Sequence, residues 1–521
     1  MIAGIAHLAR NLRAGFVLAR EGALSLIDAS VLPPGARLGL RLARLVEKRG
    51  VASGAARLSA ALTRLGPSYV KFGQFLATRP DIVGVEVARD LEILQDRMAP
   101  FPQEEAVATV EASIGRPLDH VFASFGPAVA AASIAQVHQA IARDDGRALA
   151  IKVVRPGVRE RFARDLQAMR FAARLAERHL PDAKRLRPTE IVETLARSVA
   201  VEIDLRLEAA ALSELAENTA DDADFRVPKP DWELTGRDVL ATEWIDAIPL
   251  HRLDQIDAAG HDRAALARTV IQSFLRQAIR DGFFHADMHP GNLMVDPDGR
   301  LVAVDTGIMG RLGMKERRFL AEILLGFILR DYRRVARVHF EAGYVPARHS
   351  VEDFAQAIRA IGEPIHNRRA DEISMARLLT LLFEITALFD MTTRSELVML
   401  QKTMVVVEGV ARKLDPRLDI WAASEPVVRH WIERNLGPVG RVEEVGRGVV
   451  TVARVLADLP EMAQRVERLL AKVESIVDRG IPLEPTTVGG IARHTTRALR
   501  WVAVAAWLIL AMLVIGAVVA A

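Results

Sequence analysis

The sequence predicts an α+β chain of two lobes, a small mixed sheet ahead of a larger helical region, with a polar site between them. Three observations carry this. β-rich runs cluster at residues 136–154 and 232–244, then recur in a short hairpin near 293–304. Helical periodicity dominates the rest of the chain. Four polar residues, Lys152, Asp287, Asn292 and Asp305, stand in or beside the β-rich segments in the order that phosphoryl transfer requires.

Taken in order, residues 1 to about 100 read as helices interrupted by a loop at Leu32-Pro-Pro-Gly35. Gln136–Ile141 and Ala148–Val154 read as strands around Asp144-Asp145-Gly146, a hairpin turn. Residues 159–216 return to helix with a proline-containing break near 181–188. Trp232–Trp244 reads as two more strands, and 262–281 as helix. Gly299, in Asp296-Pro-Asp-Gly-Arg300, turns the hairpin between Leu293-Met-Val and Leu301-Val-Ala-Val. From 314 to about 478 the pattern is helical, with broad apolar faces at Glu316–Phe340 and Ala376–Phe389. The expected division is a helical extension over 1–110, a sheet-bearing lobe over 111–250, a helical lobe over 251–478, a Pro/Gly/Thr-rich linker over 479–500 and an apolar segment over 501–521.

Lys and Arg number 69 against 66 Asp and Glu, so the net charge of +3 points to no nucleic-acid partner. The charge is uneven, however. Ten basic residues from Arg10 to Arg64 face only Glu21, Asp28 and Glu47, a basic helical face suited either to anionic lipid or to plain solvation. The absence of cysteine excludes disulfides, thiolate zinc sites and cysteine nucleophiles. Trp501–Ala521 contains no charged residue, and a helix of that length spans about 30 Å. Arg493, Arg497 and Arg500 precede it. This predicts a single-pass C-terminal transmembrane anchor, with the bulk of the protein cytoplasmic.

Lys152 sits mid-strand in the apolar run Ala148-Leu-Ala-Ile-Lys152-Val-Val. Such a lysine either points to solvent or serves a buried anion. Ahead of His285-Ala-Asp287-Met-His289-Pro-Gly291-Asn292, the anion is read as the phosphates of ATP. Asp287 can accept a proton from an attacking hydroxyl or position a water. Asn292, five residues on, and Asp305, thirteen further, offer hard oxygens to Mg²⁺. His285 and His289 lack a third nitrogen or sulfur ligand in sequence, so zinc is not expected. A kinase lysine needs a carboxylate to hold it. Glu202, Asp204 and Glu208 lie within two helical turns, and Glu208 is the chosen partner. Where glycines would let a phosphate approach the backbone, the chain has Ala130-Ala131-Ala132-Ser133-Ile134-Ala135-Gln136-Val137-His138. Its methyl groups narrow the backbone's freedom. Lys71 and Gln74 stand at i,i+3 on one helix face, and spacing alone assigns them no role.

Together these residues resemble the UbiB family of atypical protein-kinase-like proteins over roughly residues 60–310. Lys71-Phe-Gly73-Gln74 is similar to its Lys-x-Gly-Gln signature, Ala130–His138 to its alanine-rich loop, and Glu202-Ile-Asp204 to its Glu-x-Asp motif, with Glu208 as the helix glutamate. Asp305-Thr306-Gly307 carries threonine where phenylalanine is common. The resemblance implies a bilobal protein-kinase-like fold whose extension places the Lys71/Gln74 helix over the peptide-substrate site. It implies ATP or ADP with Mg²⁺ as cofactors, and a role in ubiquinone biosynthesis at the inner membrane. The expected partners are membrane lipid and the ubiquinone-biosynthesis enzymes or their polyprenylphenol intermediates; a homodimer is left open. Two other readings compete: a small-molecule phosphotransferase of the aminoglycoside/choline kinase type, and a non-catalytic nucleotide-gated scaffold.

Overall fold

The computed structural model describes residues 2–26, 54–77, 98–179, 187–365 and 395–436, with isolated residues between these stretches. All lie in the first of two compact units, Met1–Gly437. The loop at 32–35, most of the break at 181–188, most of Ala376–Phe389 and everything from 437 onward, the linker and the apolar segment included, lie outside the described residues.

The extension begins with helices α1 (Ile2–Arg20), α2 (Gly54–Leu65) and α3 (Pro67–Ala77). Helix α4 (Gln103–Ile114) follows, ending at Gly115 with φ 69°, a left-handed cap that glycine adopts without penalty. It runs through the expected boundary at 110, because Ala106 and Val110 are fully buried against the sheet that follows. After a single turn, α5 (Leu118–Val121), strands β1 (Phe122–Ala131), β2 (Ala135–Ala142) and β3 (Ala148–Val154) form an antiparallel meander. The five-stranded sheet has the order β1-β2-β3-β6-β5, with β5 at Pro230–Asp231 and β6 at Val239–Glu243.

Two expectations change here. The strand expected at Trp232 stops at Asp231, whose Oδ1 accepts the N–H groups of Glu233 (3.0 Å) and Leu234 (3.1 Å). That local turn competes with the sheet ladder and bends the chain. The helix expected to carry Glu202, Asp204 and Glu208 together is two helices. Beyond α6 (Val158–His179), α7 (Pro188–Glu202) ends at Ile203, and Asp204 caps α8 (Leu205–Asn218) by accepting from the Arg206 N–H.

Between the lobes lie β4 (Phe225–Arg226), β7 (Ile248–Pro249) and α9 (Leu253–Ala258). Helix α10 (Arg263–Leu275), capped by Asp262, runs into a π-turn at Arg276–Asp281. Short strands follow: β8 (Phe283–His285), β9 (Leu293–Val295), β10 (Leu301–Ala303) and β11 (Met309–Arg311). β4-β10-β9-β7 form one sheet and β11-β8 another. The helical lobe adds α11 (Met314–Ile328), α12 (Tyr332–Glu341), α13 (Val351–Gly362), α14 (Ser395–Leu414) and α15 (Ile420–Leu436). The apolar face read over Glu316–Phe340 is broken at Arg330 (φ 59°), and Asp331 caps the second helix. One core joins the inner face of the sheet to α6, α7, α8, α10, α14 and α15, so both lobes share it.

The single-pass anchor and the inner-membrane location are corrected. Among the described residues no helix is long and apolar enough to cross a membrane. That expectation rested on the uncharged run at 501–521 and on the arginines before it, and the segment itself is outside the described residues.

The β8–β11 pairing predicts a close-packing test. Gly310 faces Phe284, and a Cβ at 310 would overlap the buried Phe284 ring. That ring packs edge-on against Phe274 and cannot swing aside. Gly310→Ala is expected to cost roughly 1–3 kcal/mol in urea denaturation.

Candidate active site

The central strand β3 carries Lys152 on the inner face of the sheet, opposite Val137 of β2. The other face, with Leu149, Ile151 and Val153, is covered by α4. Lys152 Nζ donates to both carboxylate oxygens of Glu208, at 2.7 and 2.8 Å, and reaches Asp305 Oδ1 at 3.4 Å. Glu208 is buried, whereas the Asp305 side chain is 46% exposed, so the cluster opens on the Asp305 side.

Burial opposes the charge of Lys152, but Asp305 and Glu208 outweigh it and hold the ammonium above the ordinary lysine range. Burial likewise pushes Asp305 up. Lys152 and the Gly307 N–H, which donates to Oδ1 at 3.0 Å, reverse this and hold it well below the usual carboxylate range. Glu208 is raised to about 7: burial and the nearby Asp305 charge exceed the pull of Lys152.

The catalytic-type loop leaves β8 at His285. The Asp287 N–H donates to His285 Nδ1 (3.1 Å), and Asn292 Nδ2 donates to the Asp287 carbonyl (3.1 Å). Burial lowers the basicity of His285, keeping its ring neutral so that Nδ1 can accept. The Asp287 side chain is partly exposed, with its carboxylate 3.9 Å from His289 Nε2. With its nitrogen turned to the loop, Asn292 presents its oxygen as an acceptor. That oxygen and the ionised Asp305 suit a divalent cation completed by phosphate oxygens. Among the described residues no group of three or more His, Cys, Asp or Glu side chains is placed to hold a metal.

The alanine-rich segment is a strand–turn–strand, and its side chains divide. Ala130, Ala131, Ala132 and Val137 keep some exposure, but Ser133, Ile134, Ala135, Gln136 and His138 are buried. Gln136 Oε1 accepts the Phe101 N–H (2.9 Å) and its Nε2 meets His138 Nε2 (2.9 Å), while His138 Nδ1 meets the Gly126 carbonyl (2.8 Å). Gln136 and His138 therefore act as internal braces, not as ligand contacts, and this corrects the expectation. Period-2 alternation is the reason: both lie on the face opposite Val137 and Lys152. The turn closes through the Ala132 N–H to the Ala135 carbonyl (2.8 Å). Arg155 straps it by donating to Ala132 (3.0 Å) and Ala99 (2.6 Å) carbonyls.

The extension reaches the same place. Lys71 of α3 pairs with Glu202 at the end of α7, and the charge of Lys71 is felt at Asp305. Gln74 donates to the Leu94 carbonyl at 3.4 Å, within the extension itself. Asp204 is a helix cap and pairs with Arg206, so it belongs to the scaffold. Thr306, noted in the sequence for replacing a phenylalanine, has its hydroxyl 3.5 Å from the Glu208 carbonyl, and two residues that carry no sequence signal, Gln277 and Thr403, bond the loop backbone.

A strand lysine held by a helix glutamate, with a His-x-Asp loop below it, defines an atypical kinase-like protein. In keeping with this, the ABC1 atypical kinase-like domain matches residues 93–339 and the UbiB helical domain matches residues 358–419. A protein called "Probable protein kinase UbiB" from Marinobacter nauticus is 39% identical over 80% of this chain and 77% of its own. Its namesake from Aliivibrio fischeri is 39% identical over 78% and 76%. The solved complex of Rv3197 with erythromycin from Mycobacterium tuberculosis aligns with a TM-score of 0.50 and 26% identity, covering 72% of this chain and 95% of that one. The chain belongs to the UbiB family.

The buried glutamate predicts a pH signature. The folded value of Glu208, about 7, lies above its ordinary 4.5, so the folded state retains a proton that the unfolded chain releases. The stability it contributes is complete below about 4.5 and is lost as pH rises to about 7. Urea unfolding of the ligand-free protein across this window should show a falling component that Glu208→Gln abolishes.

Proposed function

We propose that this UbiB-family protein binds ATP or ADP with Mg²⁺ and acts as an atypical kinase or ATPase in support of ubiquinone biosynthesis. The observation that carries the reading is Lys152 held between Glu208 and Asp305, at 2.7 and 3.4 Å. A cation anchored by one buried acid and shared with a second, more exposed one would take the inner phosphates while Asp305 would hold the metal. Asn292 would supply a second metal ligand, and bound Mg²⁺ would neutralise charge on the transferred phosphoryl group. Asp287 accepts the proton of the attacking hydroxyl or water. Ala130, Ala131 and Ala132 would line the phosphate side of a bound nucleotide, on a turn that Arg155 straps.

The partners in this reading are enzymes that modify a polyprenylphenol ring, or the ring compounds themselves, with Lys71 and α3 limiting what enters the cleft. One observation favours a second reading, a nucleotide-gated scaffold: the Lys71–Glu202 pair joins the extension to the residues beside the site. Restoration of ubiquinone by Asp287→Asn in a strain lacking the protein would favour the scaffold.

The primary test uses the full chain. Mg²⁺-dependent nucleotide binding and turnover are measured for wild type, Asp287→Asn and Lys152→Met. Asp287→Asn is expected to lower turnover by about 100-fold or more with nucleotide affinity within about twofold. Lys152→Met is expected to weaken nucleotide binding by about tenfold. Equal turnover in wild type and Asp287→Asn removes Asp287 from the chemistry.

A further inference from the structure

Asp287 owes its direction to its backbone. Among the described residues no side-chain hydrogen bond reaches its carboxylate and its one ion pair, with His289, is 3.9 Å long, so the aim of the carboxylate follows the His285–Ala286 segment before it. Among the described residues β8 has only β11 as a strand partner, through pairs ending at His285 and Met309, and the Ala286 N–H goes to the Ile308 carbonyl (3.0 Å).

Two buried side chains hold this segment from elsewhere. The His285 N–H donates to Gln277 Oε1 at 3.0 Å. Gln277 stands in the π-turn, and the Gly282 N–H closes that turn on the Gln277 carbonyl. π-turns recur at functional sites because they re-aim side chains out of helical register. The Gln277 Nε2 is buried without a partner among the described residues, an unfavourable state that the fold accepts with the oxygen on the loop. From α14, Thr403 shares its hydroxyl proton between the Met399 carbonyl (2.9 Å) and the Ala286 carbonyl (3.0 Å). The bond to Met399 alone satisfies a helical threonine, so the reach to Ala286 is an addition. Both side chains are fully buried, 0% exposed.

We propose that Gln277 and Thr403 are positioning residues that clamp the His285–Ala286 backbone by its N–H and its C=O and so set where Asp287 points. Thr403 lies within the stretch matched by the UbiB helical domain, so one task of that domain is to hold the catalytic-type loop of the other. The proposal rests on the reading of Asp287 as the group that receives the proton, and its test is separable from that reading.

The test compares Thr403→Val, which keeps shape and removes the hydroxyl, with Thr403→Ser, which keeps the hydroxyl, and adds Gln277→Met. Amide hydrogen exchange over residues 283–292 is expected to speed up by about tenfold in Thr403→Val and Gln277→Met, and to stay near wild type in Thr403→Ser. Exchange in the β2–β3 hairpin stays unchanged and serves as the control for global loosening. Turnover is expected to fall by about tenfold in the same two variants with nucleotide affinity within about twofold, and Thr403→Ser to recover it. Equal exchange over 283–292 in Thr403→Val and Thr403→Ser overturns the clamp. If wild type shows no turnover, the functional reading fails while exchange still decides the clamp.

Discussion

A lysine inside an apolar strand is tolerable only when its charge is answered, and the rest of this site follows from how Lys152 is answered. Taking an ammonium out of water costs several kcal/mol unless acids and hydrogen bonds replace the solvent. Glu208 and Asp305 do so from positions 56 and 153 residues further along the chain. The sheet, helix α8 and the loop after β10 must therefore converge on one point. Removing either acid leaves Lys152 answered by one acid in place of two, which makes the cluster a constraint on the assembly of both lobes as well as a site.

The same economy of polar groups shapes the alanine-rich turn. Its backbone is closed by Ala132 and Ala135, strapped by Arg155 and braced from behind by Gln136 and His138. Alanine methyls restrict the chain, and the straps remove what freedom remains. Segment 98–101 takes part, since Met98 and Phe101 bond to Ala131 and Gln136. The extension thus touches the site twice, at this turn and through Lys71 at Glu202. Movement of the extension has a direct mechanical route to both the phosphate-side turn and the acid cluster.

Much of this was legible in the residues. The Asp144-Asp145-Gly146 and Asp296–Arg300 turns appear where expected, with Gly146 at φ 73° and Gly299 at φ 82°. Lys152 and Glu208 meet, as the need of a strand lysine for a helix carboxylate implies. Gln136 and His138 were misplaced because a motif read as a string ignores strand alternation, and their side chains enter the opposite face. Glu202 and Asp204 looked like one acidic helix face because capping by Asp204 and continuation of a helix have the same local composition. The anchor at 501–521 was inferred from an uncharged run and the arginines that precede it, a pattern of composition with no tertiary contact behind it.

Local order determined the kinds of elements and the identity of the polar groups: alternation for strands, glycine and aspartate for turns, and the spacing of His285, Asp287 and Asn292 for a loop with two functional oxygens. Those are short-range properties, encoded within a few residues. The fold alone decided which acid answers which base, which face of β2 meets the cleft, and that Gln277 and Thr403 grip the loop. Such pairings join residues as far as 153 positions apart, and burial of a charge or an amide gives them energy only once the chain has closed around them.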